Sequence, residues 1–448
     1  MKAWLNKLLY KACSIVPLAS FRMFFGLATF ISTLRFIMLG WIDLHFVDTH
    51  VQFKYFGFEW VSLLPPVYMY VLHIILLLSS LGILFGAWYR ISIITFFIGF
   101  TYCELIDLTY YLNHYYFVSL VAFLLIFLPA HRNYSLDVKW GRVKPLEQIP
   151  AYPILLLKFQ LLLVYFFAGI AKINYDWLML AMPLKIWLPA NSDMPLLGPI
   201  FTYEFTAYVF SWVGMLFDLT IGYFLFKKAT RFYAWLVVVF FHLLTGYLFQ
   251  IGVFPLVMIV STLIFFGEKF HLKVLSWFSK IIQFKVNIIR FEPNLTSTKS
   301  IWITAAILIW ISFHITFPFR YLCYPGNFFW TEQGYRFGWR VMLFEKAGTA
   351  TFYVKDDTTS KEGVVDNRDF LNPHQEKQMA MQPDMILQYA QFLKRHYEER
   401  GLVVNNVRAE VYVTLNGRAS QLLFNPKQNL LVLKDSWQHK DWIKPFEK

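Results

Sequence analysis

The sequence predicts an all-α polytopic membrane bundle of about nine helices, followed by a small α+β extramembrane domain. Three observations carry that expectation. Apolar runs long enough to cross a bilayer recur through the first 319 residues, and basic residues collect in alternate connections between them. Charged residues make up only 15% of the chain, against about 25% in soluble proteins.

The runs lie at about 15–40, 67–87, 91–108, 115–129, 154–173, 205–226, 232–250, 252–266 and 301–319. A helix crossing the hydrocarbon core needs about 20 apolar residues, so the run at 115–129 and the nearly continuous pair over 232–266 are the short ones. The first run follows Lys11 without a small-residue cleavage site and is expected to serve as its own insertion signal. Lys2, Lys7 and Lys11 precede run one. Arg90 follows run two, Arg132, Lys139, Arg142 and Lys144 follow run four, and Lys227, Lys228 and Arg231 follow run six. Lys269, Lys273, Lys280, Lys285, Arg290 and Lys299 follow run eight, whereas the opposite connections carry only Lys54, Lys185 and Arg320. By the positive-inside rule the N-terminus is cytoplasmic and the tail beyond Phe319 is periplasmic or lumenal. The net charge of +13 therefore reports orientation, and a nucleic-acid partner is set aside.

Within the membrane domain, 1–319, the stretch 268–300 is expected to lie in the cytoplasmic headgroup layer, because 268–291 segregates apolar residues from lysines on a helix. The outer domain, 320–448, changes to soluble composition. Residues 339–354 read as two strands around a Gly-containing turn, 383–400 as a helix with Pro at its start and Gly401 after its end, and 407–424 as a hairpin turning at Asn416-Gly417.

Unexpected polar residues locate a candidate site. Lys172 ends an otherwise apolar run. One reading makes it functional, since an ammonium at a helix centre costs about 2.5–3.5 kcal/mol on insertion scales. The other lets it bend its stem and place its charge among headgroups. On the alternating topology, Glu104, Asp107, Asn113 and His114 share the outer side with Lys172, Asn174 and Asp176. His73 lies near the outer end of run two, and His242 about ten residues into run seven. These groups are expected to face one outward-opening cavity. An amine screened from water can act as a general base, and a nearby imidazole can donate to developing negative charge. Plainer readings stay open: His242 as a packing histidine, Asp218, nearer the inner side, as a helix-to-helix hydrogen-bond partner, and Glu104 and Asp107 as loop-end charges. Cys13, Cys103 and Cys323 give no metal spacing, and no zinc motif, phosphate loop or nucleophile elbow occurs. A cavity walled by Phe, Tyr and Trp suits a lipophilic substrate.

The segments FRMFFGL (21–27), GAWYRIS (86–92), LNHYYF (112–117), YFFAGIAKINYDW (165–177), FHLLTGYLFQIGVFPLVMI (241–259) and WTEQGYRFGWRVM (330–342) occur in this order. Together they resemble the vitamin K-dependent γ-glutamyl carboxylases and their bacterial relatives. The resemblance implies a membrane enzyme that oxidises reduced vitamin K with O2 to the epoxide and adds CO2 to glutamyl side chains of a peptide or protein, without a metal. At matching positions it implies Lys172 as the base toward the hydroquinone and His114 as the histidine of the Asn-His motif. Asn113, His242 and His73 are then candidates for holding the quinone. It also implies that 330–342 receives the glutamate, making Trp330, Arg336, Trp339 and Arg340 candidates, since arginine can bind a carboxylate through two parallel hydrogen bonds. Headgroup contact is the other reading of Arg320, Arg336 and Arg340. This chain has AGIAKI where vertebrate members resemble AGxKKL, so Ala171 replaces a lysine while Lys172 remains. The chain stops near 448, short of the vertebrate lumenal extension, which resembles the bacterial form with a horizontally transferred transmembrane (HTTM) domain. For that form a menaquinol or phylloquinol-type cofactor and a periplasmic outer compartment are expected. Two alternatives accompany this reading: quinol oxygenation without carboxylation, and a non-catalytic quinone- or lipid-binding membrane protein in which Lys172 salt-bridges Asp176 or Asp107.

Overall fold

The computed structural model describes residues 2–249, 251–279 and 298–447. The nine apolar runs divide into two kinds of helix. Among the described residues, seven helical spans have the length and apolarity to cross a membrane. They are α1 (Val16–Met38), α2 (Pro66–Phe85), α3 (Tyr89–Ile106), α5 (Tyr152–Ala171), α6 (Glu204–Phe226), α7 (Arg231–Phe249) and the span Ser300–Cys323, which begins within α10 (Thr298–Thr316). Two apolar helices are shorter: α4 (Asn113–Phe127), and α8 (Phe254–Ser261), which is prolonged by a 3-10 turn to Phe265. At 1.5 Å per residue, the 15 residues of α4 span about 22 Å, less than a hydrocarbon core of about 30 Å. Both short helices are packed inside the bundle, with Phe117, Val121, Ala122 and Leu125 of α4 and Met258 of α8 buried.

Local signals account for the helix ends. Proline stands in the first turn of α2, α5 and α8, where its missing N–H leaves no intrahelical bond unmade. Gly86 closes α2 at φ 63°, a left-handed cap that glycine adopts without strain. Helices α5 and α6 approach closely because Gly169 has no side chain; a Cβ there would lie 2.9 Å from the backbone N of Leu219. Small residues serve this purpose where membrane helices touch. Helix α9 (Glu268–Ser279) follows the bundle, tethered by a hydrogen bond from Ser14 Oγ to Glu268 (2.8 Å) and by His271 Nε2 against Leu263 O (3.1 Å). The remainder of the expected amphipathic stretch, residues 280–297, lies outside the described residues.

The C-terminal region is an antiparallel sheet of order β2-β1-β3-β4, made of β1 (Lys346–Lys355), β2 (Glu362–Val365), β3 (Asn406–Leu415) and β4 (Gln421–Leu422). It carries helices α11 (Pro373–Met379) and α12 (Pro383–Glu398). Strands β1 and β3 pair along their whole length, from Lys346 opposite Leu415 to Lys355 opposite Asn406. The expected turn at Asn416-Gly417 is present, at φ 52° and 72°. The expected pair of strands in 339–354 is not. β1 runs straight through Gly348, where a Cβ would meet Ala380 O at 2.7 Å, so this glycine serves close packing and not a turn.

The domain sits on one end of the bundle. Asp107, beside the end of α3, accepts from Gln375 Nε2 (2.8 Å), and Asp176, just beyond α5, pairs with Arg418 (2.6 Å) and accepts from Asn416 Nδ2 (2.7 Å). The ends of α3 and α5 are thereby held against the same domain.

Candidate functional site

Lys172 caps α5, and its stem folds back along the helix instead of reaching outward. Nζ lies 3.4 Å from Ala168 O and 2.6 Å from Asp218 Oδ2, with the two side chains only 8% and 6% exposed. The close approach of α5 and α6 at Gly169 makes this pairing possible. The headgroup reading of Lys172 is thereby overturned, and its ion-pair partner is Asp218, in place of Asp176 or Asp107. Trp177 covers the amine, its ring centroid 5.4 Å from Nζ and its indole N–H fixed on Ser211 O (2.9 Å).

The pair opens on a cavity of about 750 Å³. Its walls are largely aromatic and aliphatic, among them Phe210, Phe241, Phe249, Phe254 and Met258. One further polar pair faces it: Tyr165 Oη and His242 Nε2, 2.9 Å apart and both buried. His242 Nδ1 has no hydrogen-bond partner, which is uncommon for a buried ring nitrogen. Val341 and Met342 complete the wall and bring the segment 330–342 to the cavity.

His114 is not in this cavity. It lines a smaller space with Thr29, Ser32, Val253 and Val257. The ring of Phe254 stands 5.4 Å from that of His114 and 5.5 Å from that of His242, and so divides the two spaces. The single expected cavity is therefore several, because aromatic rings from different helices fill the gaps between its polar members. His73 lies in a third cavity, with Nδ1 2.7 Å from Met69 O. Asn113 accepts from Tyr111 Oη (3.0 Å) and donates to Arg340 O (2.9 Å), tying α4 to the 330–342 segment.

None of the four candidates in that segment presents a free polar group to the Lys172 cavity. Trp330 is buried and donates to Lys444 O (2.9 Å), and Trp339 is buried against Tyr116 at 4.9 Å. Arg340 lies over Tyr321 (4.0 Å) and Phe328 (4.8 Å). Arg336 donates to Asp384 (2.5 Å) and to Gln382. Burial opposes the charge on Arg336, but the Asp384 carboxylate outweighs it and holds the guanidinium above its ordinary value. Asp384 is likewise buried, yet Arg336 holds it below the ordinary carboxylate range. Arg336 also lines a cavity of about 1080 Å³ on the domain side, with Arg320, Gln333, Tyr335 and Lys440. The backbone between the two cavities is unusual, since Glu332, Phe337, Trp339 and Met342 all adopt left-handed conformations, at φ 55°, 59°, 58° and 51°.

Asp218, Tyr165, Val341 and Met342 are the cavity residues that the sequence reading left out or assigned elsewhere. Asp218 carried a signal, as the single carboxylate inside α6 beyond its first turn. Among the described residues no cluster of three or more His, Cys, Asp or Glu suits a metal ion. All three cysteines are free thiols.

Residues 10–270 match the family model of the HTTM domain, and residues 299–448 match that of the vitamin K-dependent gamma-carboxylase lumenal domain. No solved structure matches the chain.

Proposed function

The chain belongs to the vitamin K-dependent gamma-carboxylase family, and from that premise we propose that it couples oxidation of a vitamin K-type quinol to carboxylation of glutamyl side chains, with the Lys172 cavity as the quinol site. The observation that carries this reading is the buried Lys172–Asp218 pair opening onto an apolar, aromatic-walled cavity. Such a cavity fits the group. A fused aromatic ring demands apolar walls, and its hydroxyl demands an acceptor, while His242 Nδ1 lacks a partner. Reduced vitamin K, when bound, supplies the reducing equivalents whose consumption by O2 drives removal of a γ-proton from glutamate.

The protein's own residues then have separable tasks. Lys172 accepts the hydroxyl proton, and Asp218 at 2.6 Å shares it. Lys172 can take that proton only as the neutral amine, with the pair's own proton resting on Asp218, and the ammonium so formed is balanced by the anionic quinol oxygen left beside it. Tyr165 fixes the His242 ring through its hydrogen bond. Trp177, Phe254 and Met342 exclude water, which strengthens every polar contact inside. His114 acts from behind Phe254 on this reading, as a neighbour of the quinol site and not a direct partner of Lys172.

The peptide would enter from the domain side, through the larger cavity lined by Gln333, Tyr335 and Arg336. With the orientation set by the basic connections, that side is periplasmic or lumenal. A second reading, quinol oxygenation without carboxylation, has one observation in its favour: Arg336, the expected carboxylate binder, is already occupied by Asp384. Incubation of purified protein with reduced vitamin K, labelled CO2 and a glutamate-containing peptide decides between them. Epoxide together with labelled peptide is expected, epoxide alone selects the second reading, and neither product defeats both. Lys172→Ala is expected to abolish epoxide formation; full retention removes Lys172 from the role of base.

A further inference from the structure

The cavity that holds His73, of about 600 Å³, is walled by α1 to α4 and their connections, and two of its residues, Asp107 and Tyr110, bond to Gln375 and Asn372 of the C-terminal domain. Its acidic residues differ in kind. Asp107 is fully engaged, accepting from Thr109 N (2.9 Å), Thr109 Oγ1 (2.8 Å) and Gln375 Nε2 (2.8 Å). Glu104, three residues earlier on α3, faces the same cavity and forms no ion pair among the described residues. The cations on adjoining segments are engaged elsewhere. Arg35 lies over the Trp41 ring at 4.5 Å, and Lys54 Nζ donates to Ile106 O (3.2 Å). A carboxylate in such surroundings without a counter-charge is costly.

The other walls ask for the same complement. His73 places Nδ1 against Met69 O (2.7 Å), so in the neutral ring Nε2 is left as an acceptor. Tyr110 is sandwiched between His45 at 3.7 Å and His374 at 4.7 Å, whereas Phe36 stacks on His73 at 5.1 Å, with Phe46 5.6 Å from His73. The faces of aromatic rings are electronegative and attract cations. A carboxylate, an imidazole acceptor and several ring faces around one space favour a positively charged, donor-bearing guest. Metal ions are poorly suited, since no group of three or more His, Cys, Asp or Glu among the described residues converges on one point.

We infer that this cavity binds an organic ammonium group, with Glu104 as its counter-ion, His73 as its hydrogen-bond acceptor and Phe36 and Phe46 as its aromatic walls. The ammonium is that of an amine-bearing phospholipid headgroup or of a small free amine; the chemistry of recognition is shared. The site is separate from the Lys172 cavity and its test needs no turnover.

The experiment is thermal unfolding of the full-length protein in lipid nanodiscs. One arm compares discs of phosphatidylglycerol alone with discs containing phosphatidylethanolamine. The other titrates ethanolammonium chloride against sodium chloride in phosphatidylglycerol discs. A rise in Tm in the first arm only identifies the lipid headgroup, and a rise in the second identifies the free amine. Glu104→Gln, which keeps size and shape, is expected to weaken the response about tenfold or more through loss of a charge-assisted hydrogen bond. Phe36→Leu, which keeps the carboxylate, is expected to weaken it by a smaller factor. A wild-type protein indifferent to both amines, or a Glu104→Gln protein that responds as fully as wild type, overturns the proposal.

Discussion

Replacing Asp218 with asparagine tests whether Lys172 works as half of a pair. The two charges are 2.6 Å apart and nearly excluded from solvent, which corresponds to a gross attraction of about 6 kcal/mol at an effective dielectric constant near 20. Much of that offsets the desolvation of both groups. Removing one partner leaves the other buried and alone, a loss of about 3–5 kcal/mol in stability. Asparagine retains an oxygen that can accept from the amine but cannot take up its proton. Quinol oxidation should therefore fall about 10²–10⁴-fold, the usual worth of a positioned proton acceptor. The assay is single-turnover epoxide formation in nanodiscs at a temperature where both proteins remain folded. Lys172→Met and the Asp218→Asn/Lys172→Met double variant complete a cycle. If the pair is one proton-handling unit, the double variant is no slower than the worse single variant. Full activity of Asp218→Asn, or losses that simply add, would refute the reasoning.

Two further outcomes follow from packing and charge. Gly169→Val should push α6 away from α5, because even a Cβ would meet the Leu219 backbone N at 2.9 Å; both Tm and the epoxidation rate are expected to fall, and a variant with wild-type Tm and rate would show that the close approach is not required. The Arg336–Asp384 pair predicts acid sensitivity of the C-terminal domain. Arg336 holds the folded-state value of Asp384 below its unfolded value, so the stability it contributes is present above the ordinary carboxylate range, near pH 4, and is lost as pH falls through the folded-state value. Asp384→Asn should be less stable at neutral pH and should flatten that acid limb in a tryptophan-fluorescence unfolding series; an unchanged pH profile would disprove the assignment.

The parts of the fold that the sequence revealed are those written in local pattern. Long apolar runs, the Asn416-Gly417 turn and the Pro383 start of α12 are each decided within a few residues. The parts it concealed depend on three-dimensional neighbours. Gly348 looked like a turn because its reason, the carbonyl of Ala380, is 32 residues away along the chain. Asp218 reads as a helix-to-helix hydrogen-bond partner and is one, but its partner stayed hidden because Lys172, at the end of α5, brings its charge back to the level of Ala168. Side chains on a helix lean toward its N-terminus, so a residue at the end of α5 can act a full turn inside. Asn113 and His114 are adjacent in sequence yet serve different surroundings, and only the packing of α8 reveals Phe254 between His114 and the Lys172 amine. Arg336 resembled a free carboxylate receptor because Gln382 and Asp384, its partners, belong to the start of another element.

The segment between the Lys172 cavity and the domain-side cavity gives the arrangement its logic. Arg336 and Tyr335 face the domain-side cavity, while Val341 and Met342 face the Lys172 cavity. A non-glycine residue in the left-handed region costs of order 1–3 kcal/mol and persists only where the surroundings over-determine it. Here Tyr111 Oη accepts from Phe337 N (2.7 Å), Asn113 Nδ2 donates to Arg340 O (2.9 Å) and Trp330 Nε1 donates to Lys444 O (2.9 Å), so α4 on one side and the chain terminus on the other hold the strained backbone in place. On the proposed reading a base generated in the apolar cavity must act on a glutamate arriving from the polar one. A thick wall would separate the two reactants, and an open passage would admit water to quench the base. A thin wall, strained and pinned by α4 immediately beside His114, meets both demands: it seals the cavity at rest, and a peptide that displaces Asp384 from Arg336 would loosen the stretch that carries Val341 and Met342. On the proposed reading, the interactions that hold Asn113 and Arg336 form the latch between the two half-reactions, and neither residue needs to touch the quinol.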